Sequence, residues 1–430
     1  MTRPSGEART AAIARRDLMG AQSETDDYAR KAGRQDDVSC PSEPAVVHGH
    51  SRAAKGKREK SKSIAIAGAK TDRASDAIYG ALDLGTNNCR LLVARPSRRG
   101  FFVIDAFSRI IRLGEGLLGS GRLSDQAIDR TIDALKVCAE KMSRRGVSRS
   151  RLIATEACRI AANREEFLDR IRRETGLQLE IVSQETEAKL AVSGCSSLID
   201  PNSDWALIFD IGGGSSELIW LDLARFKRCW RGSLTDRLDV QDCIAAWTSL
   251  PIGVVSLAER HGGRDLTKDD YEAMVQEVAA AVEVFEAKHG FKERISNGGA
   301  HFLGTSGTVT TIAGVHLKLP FYERSRVDGC WLSAEEARAV SMDLSAMSYA
   351  DRVAQPCIGQ ERADLVLAGC AILEALFRMW PCERVRVADR GLREGILATL
   401  MAEDGHEGRS RRRRRGRRRG GLRPSTQSAG

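Results

Sequence analysis

The sequence predicts an α/β fold built from two similar lobes that face one another across a cleft. One pattern occurs twice: residues 79–92 read YGALDLGTNNCRLL, and residues 205–219 read WALIFDIGGGSSELI. In each copy an apolar run typical of a buried strand is followed by Asp-x-Gly, by small or polar residues, and by a second apolar run. Such a repeat indicates duplication, so we expect matching strand–turn–strand units in the two lobes.

Each repeated unit has the composition of a phosphate-binding hairpin. Glycine and small polar residues let the chain turn tightly, and the backbone N–H groups of such a turn form a concave site for anionic oxygens. The carboxylates of Asp83 and Asp210 would repel phosphate, so we expect them to hold a hydrated Mg²⁺ or a water beside it. Two unrelated strand turns are the alternative, and the long run of shared positions disfavours it.

Length and composition allow two domains with additional terminal segments. The chain has 430 residues, of which 42% are hydrophobic, enough for two cores. Residues 1–75 are rich in charged and small residues without sustained apolar periodicity, which predicts a disordered extension. The first thirty residues lack an apolar signal-peptide core, and no run of 18 apolar residues occurs. We therefore expect a cytoplasmic protein that does not enter a membrane.

The positive charge of the chain is concentrated at its C-terminus. Residues 405–430 contain ten Arg and one Glu, so their net charge of +9 equals that of the whole chain, and the remainder is formally neutral. We expect this tail to be disordered and to contact RNA or other polyanions nonspecifically, although a purely solubilising tail is the alternative. The eleven cysteines include no C-x-x-C pair, which argues against a zinc site and a disulfide framework.

The first lobe, residues 76–198, continues after its hairpin with alternating strands and helices. Ser124 is placed to cap a helix whose apolar positions recur at helical spacing, and Gly176 is placed to end a helix-rich stretch. The helix that begins in ETEAKLAVSGC should reach a hinge near Leu198. The predicted strands of this lobe beyond the hairpin are residues 101–107, 151–155 and 179–182.

The second lobe, residues 199–404, should repeat this plan from residue 205 onward. Residues 223–248, rich in Arg and Asp, are interpreted as a connecting excursion without a role in the site. We predict a strand followed by a loop at residues 301–311. The predicted helices are residues 271–288, 333–347, 361–379 and 392–401.

Seven motifs follow one another along the chain: DLGTNNCR, ATEACRIAAN, EIVSQETEAKL, FDIGGGSSELI, SLPIGVVSLAE, GTSGTVTTIAG and VADRGLREGIL. Their order and spacing resemble the exopolyphosphatase / guanosine pentaphosphate phosphohydrolase (Ppx/GppA) family over about residues 77–401. The resemblance implies the two-lobed, duplicated actin/hexokinase/Hsp70-like (ribonuclease H-like) fold with an interlobe cleft. It also implies a short two-domain form, because the Arg-rich tail follows where longer members continue into a helical domain.

The resemblance carries the family's site residues onto this chain. Glu187 matches the catalytic glutamate, which would orient or deprotonate the attacking water, and Arg159 matches an arginine that holds substrate phosphate. Without the motif, Glu187 would be interpreted as a solvated helix charge and Arg159 as a salt-bridged surface residue. The phosphate-binding candidates are Gly85, Thr86, Asn87, Asn88, Arg90, Gly212, Gly213, Gly214 and Ser215, and the metal candidates are Asp83 and Asp210. Ser306 and Gly307 of the GTSGT loop are further phosphate-binding candidates, with an ordinary Gly/Ser/Thr turn as the alternative.

The resemblance also implies an activity. It indicates a hydrolase that uses Mg²⁺ or Mn²⁺ to remove terminal phosphate from inorganic polyphosphate, from guanosine pentaphosphate, or from both, which would connect it with the stringent response. Family members commonly dimerise, so a homodimer is expected. Two alternatives stay open: an actin-like-fold kinase for a small molecule, and a non-catalytic protein that binds nucleotides or polyanions.

Overall fold

The computed structural model describes residues 77–97, 100–200, 202–225, 239–295 and 300–405. They belong to one compact unit that begins at Ala77. The predicted N-terminal extension, residues 1–75, and all but the first residue of the predicted Arg-rich tail lie outside the described residues.

The first lobe contains a five-stranded sheet with the strand order β3-β2-β1-β4-β5. The first three strands pair antiparallel, whereas β4 runs parallel to β1 and β5 runs parallel to β4. The strands are β1 (Tyr79–Leu84), β2 (Asn88–Ser97), β3 (Gly100–Ile110), β4 (Arg149–Ala154) and β5 (Glu180–Ile181).

Helices cover this sheet at the predicted places. The Ser124 side chain accepts a hydrogen bond from the N–H of Ala127, and the helix that begins there ends at Gly146 in the left-handed conformation, as expected for a glycine after the last turn. Gly176 ends the next long helix in the same way. The helices are α1 (Leu117–Ser120), α2 (Asp125–Arg145), α3 (Glu156–Ile160), α4 (Arg164–Thr175) and α5 (Gln184–Cys195).

The second lobe repeats the topology of the first. Its six-stranded sheet has the order β10-β11-β9-β6-β7-β8, and β6, β7 and β8 pair antiparallel while β9 and β11 run parallel to β6. Five strands therefore match the first sheet in order and direction, which confirms the predicted duplicated fold. The strands are β6 (Trp205–Ile211), β7 (Ser216–Asp222), β8 (Ile244–Leu250), β9 (Ala300–Thr305), β10 (Trp331–Ser333) and β11 (Arg384–Ala388).

The helices of the second half of the chain pack around this sheet. Val278, Val282 and Phe285 lie on one side of a long helix and are buried in the main core of the lobe, as amphipathic spacing predicts. The helices are α6 (Val254–His261), α7 (Lys268–His289), α8 (Phe291–Ile295), α9 (Ser306–His316), α10 (Arg324–Val327), α11 (Ala334–Ala346), α12 (Tyr349–Ala354), α13 (Val366–Met379) and α14 (Leu392–Glu403).

One local prediction for this lobe is wrong. Residues 301–311 were expected to be a strand and a loop, but α9 begins directly at Ser306 because Val309, Ile312 and Ala313 bury its inner face in the core, which outweighs the weak helix propensity of Gly and Thr. The described end of the connecting excursion at residues 223–248 enters β8, which pairs with β7.

A shared core joins the two lobes. Helix α14 packs against α5 and against β1, β2 and β4 of the first sheet, whereas α5 contacts β7 of the second sheet. The two helices approach closely, because a Cβ at Gly194 would lie 1.9 Å from the carbonyl oxygen of Gly391. Each half of the chain thus supplies a helix to the sheet of the other half. None of the helices in the described part of the chain has the length and apolar composition needed to cross a membrane.

Candidate active site

The two predicted phosphate loops have the same backbone turn. In the first loop the N–H of Gly85 donates to the carbonyl oxygen of Asn88 at 2.9 Å, and in the second the N–H of Gly212 donates to that of Ser215 at 2.9 Å. Between these ends, the N–H groups of Thr86, Asn87, Gly213 and Gly214 donate to no backbone acceptor among the described residues. Unpaired donors of this kind are suited to phosphate oxygens.

The two loops face each other at contact distance. A Cβ atom at Gly213 would lie 3.1 Å from the backbone nitrogen of Asn87, and one at Gly214 would lie 2.7 Å from the Thr86 hydroxyl oxygen and 3.2 Å from Glu156 Cγ. Such distances leave no room for a side chain. The glycines of the second loop therefore allow the lobes to approach.

Nearly all of the predicted site residues line one cleft between the lobes. The cleft opens to solvent. The predicted residues that line it are Asp83, Gly85, Thr86, Asn87, Asn88, Arg90, Glu187, Asp210, Gly212, Gly213, Gly214, Ser215, Ser306 and Gly307.

Glu187 reaches the cleft from the first turn of α5. The Ser183 side chain caps this helix by accepting from the N–H of Thr186 at 3.2 Å, and the Glu187 side chain is 9% exposed. Burial and the nearby charge of Glu217 raise the pKa of the Glu187 carboxyl well above its usual range, whereas Arg159 acts in the opposite direction. A raised pKa brings a carboxylate closer to the proton affinity that a general base needs at neutral pH.

Arg159 lies behind Glu187 and not on the wall of the cleft. Its Nη1 donates to Glu187 Oε2 at 2.7 Å, and its Nε and Nη2 donate to Glu156 Oε2 at 2.9 and 2.7 Å. A further bond from Nη1 reaches the carbonyl oxygen of Val182 at 3.0 Å. The guanidinium thus connects two carboxylates on α3 and α5 and fixes the orientation of Glu187.

Three more carboxylates surround the loops. Burial raises the pKa of Asp83 to about 6 against the opposing effect of Arg90. Burial likewise raises the pKa of Asp210, which accepts a hydrogen bond from the Ser306 hydroxyl. Burial and the charge of Asp210 raise the pKa of Glu217 to about 7. The cleft therefore concentrates negative charge in a place where water stabilises it poorly.

The two hairpins differ at one equivalent position. Asp83 pairs across the sheet with Arg90, and Asp210 pairs with Glu217. The same site of the duplicated unit therefore carries a cation in the first lobe and a carboxylate in the second. Glu217 accepts hydrogen bonds from Ser215 at 2.7 Å and from Ser249 at 2.8 Å.

Sequence reasoning missed Glu156, Glu217 and Arg362, all of which line the cleft. Glu217 could have been found by aligning the hairpins, because DLGTNNCR and DIGGGSSE end at equivalent positions. No motif around Arg362 in the sequence indicated a role in the site. Its Nη1 donates to the Thr311 hydroxyl at 3.2 Å, and burial together with the Arg90 charge lowers its pKa.

Oxygen ligands for a divalent cation are present near the loops. In the described part of the chain, no three His, Cys, Asp or Glu side chains converge closely enough to hold a metal by themselves. Mg²⁺, however, is commonly held by one or two carboxylates together with water and substrate phosphate. The half-buried Asp83 and the buried Asp210 carboxylates fit this role, and the side-chain oxygens of Asn87 and Asn88 are buried without a hydrogen-bond donor among the described residues.

The chain is similar to known phosphatases in sequence and structure. The model of the Ppx/GppA phosphatase family matches residues 92–404. A guanosine-5'-triphosphate,3'-diphosphate pyrophosphatase of Photobacterium profundum is 27% identical over 334 residues, which is 76% of this chain and 60% of that protein. The chain thus spans less than two thirds of the length of this curated relative.

Solved structures show the same architecture. The Ppx/GppA family member of Aquifex aeolicus has 25% sequence identity and a TM-score of 0.60, covering 77% of this chain and 99% of its own. A solved exopolyphosphatase-like protein has 27% identity and a TM-score of 0.64, covering 76% of this chain and 99% of its own. Together with the paired loops and the family match, these similarities establish that the chain belongs to the Ppx/GppA phosphatase family.

Proposed function

We propose that this protein hydrolyses the terminal phosphoanhydride bond of inorganic polyphosphate, of guanosine pentaphosphate, or of both. The observation that carries the proposal is the position of Glu187. Its buried carboxylate lies in the cleft where the two phosphate loops meet, with a raised pKa and an arginine that fixes its orientation. A hydrolase needs such a group to act on water, whereas phosphate loops alone would serve transfer to any acceptor.

The backbone of the two loops would bind the phosphate that is transferred. The N–H groups of Thr86 and Asn87 from one lobe and of Gly213 and Gly214 from the other are available as donors. Arg90 and Arg362 add two positive charges on the cleft wall. Donors that are already in place stabilise negative charge on the equatorial oxygens without reorganisation during the reaction.

Glu187 would activate the attacking water. The water oxygen attacks the terminal phosphorus while the Glu187 carboxylate accepts a proton from that water. The bond from phosphorus to the bridging oxygen then breaks, and the remaining phosphate chain leaves with the electron pair. Arg159 favours the ionised form of Glu187 despite burial, so it keeps the base ready to accept the proton. A direct contact of Arg159 with substrate phosphate stays a prediction.

Mg²⁺, or Mn²⁺ in its place, is part of the proposal. Asp83 and Asp210 would hold the ion, and a bound divalent cation would neutralise charge on the phosphate oxygens. The pyrophosphatase from Photobacterium and the exopolyphosphatase-like structure support the two substrate classes by similarity. Homodimerisation and RNA contact through the Arg-rich tail stay predictions.

A panel of substrates tests the proposal. The full chain with Mg²⁺ is assayed for phosphate release from long polyphosphate, short polyphosphate and guanosine pentaphosphate, and in parallel for ATP consumption with acetate or a sugar as acceptor. We expect phosphate release from at least one of the first three and no phosphorylated acceptor. Acceptor phosphorylation would indicate a kinase instead, and binding without turnover would indicate a non-catalytic protein.

A further inference from the structure

Arg112 connects the two lobes beside the cleft. It follows β3 in the first lobe, and its Nη1 and Nη2 donate to the two carboxylate oxygens of Asp364 at 2.8 and 2.9 Å. Nη2 also donates to the carbonyl oxygen of Glu361 at 3.1 Å. Asp364 lies just before α13 in the second lobe. The bidentate arrangement is the strong and directional form of an arginine–carboxylate pair.

The backbone of Arg112 also supports the first phosphate loop. The N–H groups of Ile111 and Arg112 donate to the carbonyl oxygen of Asn87 at 2.8 and 3.1 Å, and the N–H of Gly114 donates to that of Thr86 at 2.9 Å. Arg112 itself has a φ of 46°, a left-handed conformation that is uncommon for a residue with a side chain. One residue thus holds the phosphate loop through its main chain and the opposite lobe through its side chain.

The segment around Asp364, the partner of Arg112, is held in place by contacts within the second lobe and also lines the cleft. The Arg352 side chain is buried, and it donates to the carbonyl oxygens of Ala363 at 3.3 Å and Met347 at 2.9 Å. Arg362, two residues before Asp364, reaches the cleft wall opposite the like charge of Arg90. Since these two cations repel each other, Arg362 needs a contact that holds its segment against the first lobe.

A second contact links the lobes near the same segment. The N–H of Gly116, at the start of α1, donates to Glu259 Oε1 at 2.8 Å, and Glu259 lies in α6 of the second lobe. Both contacts thus pair a short segment of the first lobe, residues 112–116, with a carboxylate of the second lobe.

We propose that Arg112 is a positioning residue that closes the phosphate cleft. Its ion pair with Asp364 holds the lobes together and keeps Arg362 beside the first phosphate loop, so that phosphate bound by that loop meets cations from both lobes. The expected effect of Arg112 on turnover rests on the proposed function. Its effect on the distance between the lobes can be measured without any turnover.

A charge exchange tests this role with tripolyphosphate as the probe. Arg112→Glu, Asp364→Arg and the double variant are compared with the parent protein, all in the presence of Mg²⁺. We expect each single variant to raise KM for phosphate release by about tenfold or more, the change that loss of a charge-assisted pair produces, and the double variant to recover most of that loss. Arg151→Glu is the control, because Arg151 forms a bidentate pair with Glu180 at 2.9 and 3.0 Å inside the first lobe.

Small-angle X-ray scattering separates failure of this proposal from failure of the proposed function. Arg112→Glu should have a larger radius of gyration than the parent, the charge exchange should restore the parental value, and Arg151→Glu should leave it unchanged. If the parent releases phosphate from neither polyphosphate nor guanosine pentaphosphate, the proposed function is wrong but the scattering comparison still stands. A folded Arg112→Glu protein with parental scattering would overturn the proposal, as would a charge exchange that restores neither scattering nor KM.

Discussion

Glu187 is subject to opposing influences that together define its chemistry. Burial and the Glu217 charge favour its protonated form, while the ion pair with Arg159 favours the carboxylate. The outcome is a raised pKa in a group whose orientation is fixed by hydrogen bonds. Loss of phosphate release with falling pH is therefore expected, since a protonated Glu187 cannot accept the proton of the attacking water.

Replacing Glu187 should separate binding from turnover. Glu187→Gln keeps the size and the polar character of the side chain but removes the base, so the rate of phosphate release should fall by about 10²- to 10⁴-fold while tripolyphosphate binding, measured by calorimetry, persists. Glu185→Gln is the matched control, because Glu185 is an exposed residue on the same helix paired with Lys189. Near-parental turnover in Glu187→Gln would exclude its role as the base.

Glu217 should make the protein less stable at high pH. A carboxyl whose pKa is raised from 4.5 to about 7 in the folded protein binds its proton more tightly there than in the unfolded chain. The free energy of unfolding then falls as pH rises from the lower value to the higher one and levels off above it.

Glu217→Gln removes this titration and keeps an oxygen that can accept from Ser215 and Ser249. It should therefore raise the free energy of unfolding at pH 8 by about 1–3 kcal/mol more than at pH 5, measured by urea denaturation. The same change removes a charge that raises the pKa of Glu187, so the loss of activity on acidification should move to lower pH. Equal stability changes at the two pH values would contradict the assignment.

Asp83 and Asp210 should determine the requirement for the metal. Asp83→Asn and Asp210→Asn each remove one negative charge from the expected ligand set, so the Mg²⁺ concentration needed for half-maximal phosphate release should rise by about tenfold or more. Asp133→Asn is the control, since Asp133 is 71% exposed on α2. Metal titrations that coincide with the parent would argue against a metal role for either aspartate.

At the scale of single elements, the phosphate hairpins were the most predictable part of the fold. The alternation of apolar strands with Asp-x-Gly turns specifies both hairpins locally, and the structure contains the same closing hydrogen bond in each. Two elements were harder to predict from the sequence: the strand at residues 244–250 and the helix that begins at Ser306. The strand forms because it pairs with β7, and the helix forms because one of its faces is buried in the core. Local propensity does not predict such contacts.

Gly214 offers a test of how closely the hairpins approach. In Gly214→Ala the new methyl group would lie 2.7 Å from the Thr86 hydroxyl oxygen, so the loops must separate, and tripolyphosphate binding should weaken by about tenfold or more. Gly119→Ala is the matched control, because a Cβ at Gly119 would meet nothing within 4 Å. Parental affinity in Gly214→Ala would show that the close approach of the loops is not required for binding.

At the scale of the whole molecule, contacts between distant parts of the chain complete the site. Arg112 and Asp364 are 252 residues apart in sequence, and Arg362 reaches the cleft from a segment that no motif singled out. Helix α14, near the end of the described chain, packs on the first sheet. The sequence predicted the cleft because both of its loops are local motifs, but it did not predict these contacts, since they exist only once the lobes have come together.

The fate of the oxygen atom of water shows whether a water activated by Glu187 attacks the terminal phosphorus. Phosphate release from guanosine pentaphosphate and from tripolyphosphate is carried out with Mg²⁺ in ¹⁸O-labelled water, and the products are analysed by mass spectrometry. Attack of a Glu187-activated water on the terminal phosphorus predicts one ¹⁸O atom in each released phosphate, none in the shortened product, and loss of the labelled phosphate in Glu187→Gln. Labelling of the shortened product, or undiminished labelled phosphate in Glu187→Gln, would exclude attack of a Glu187-activated water on the terminal phosphorus.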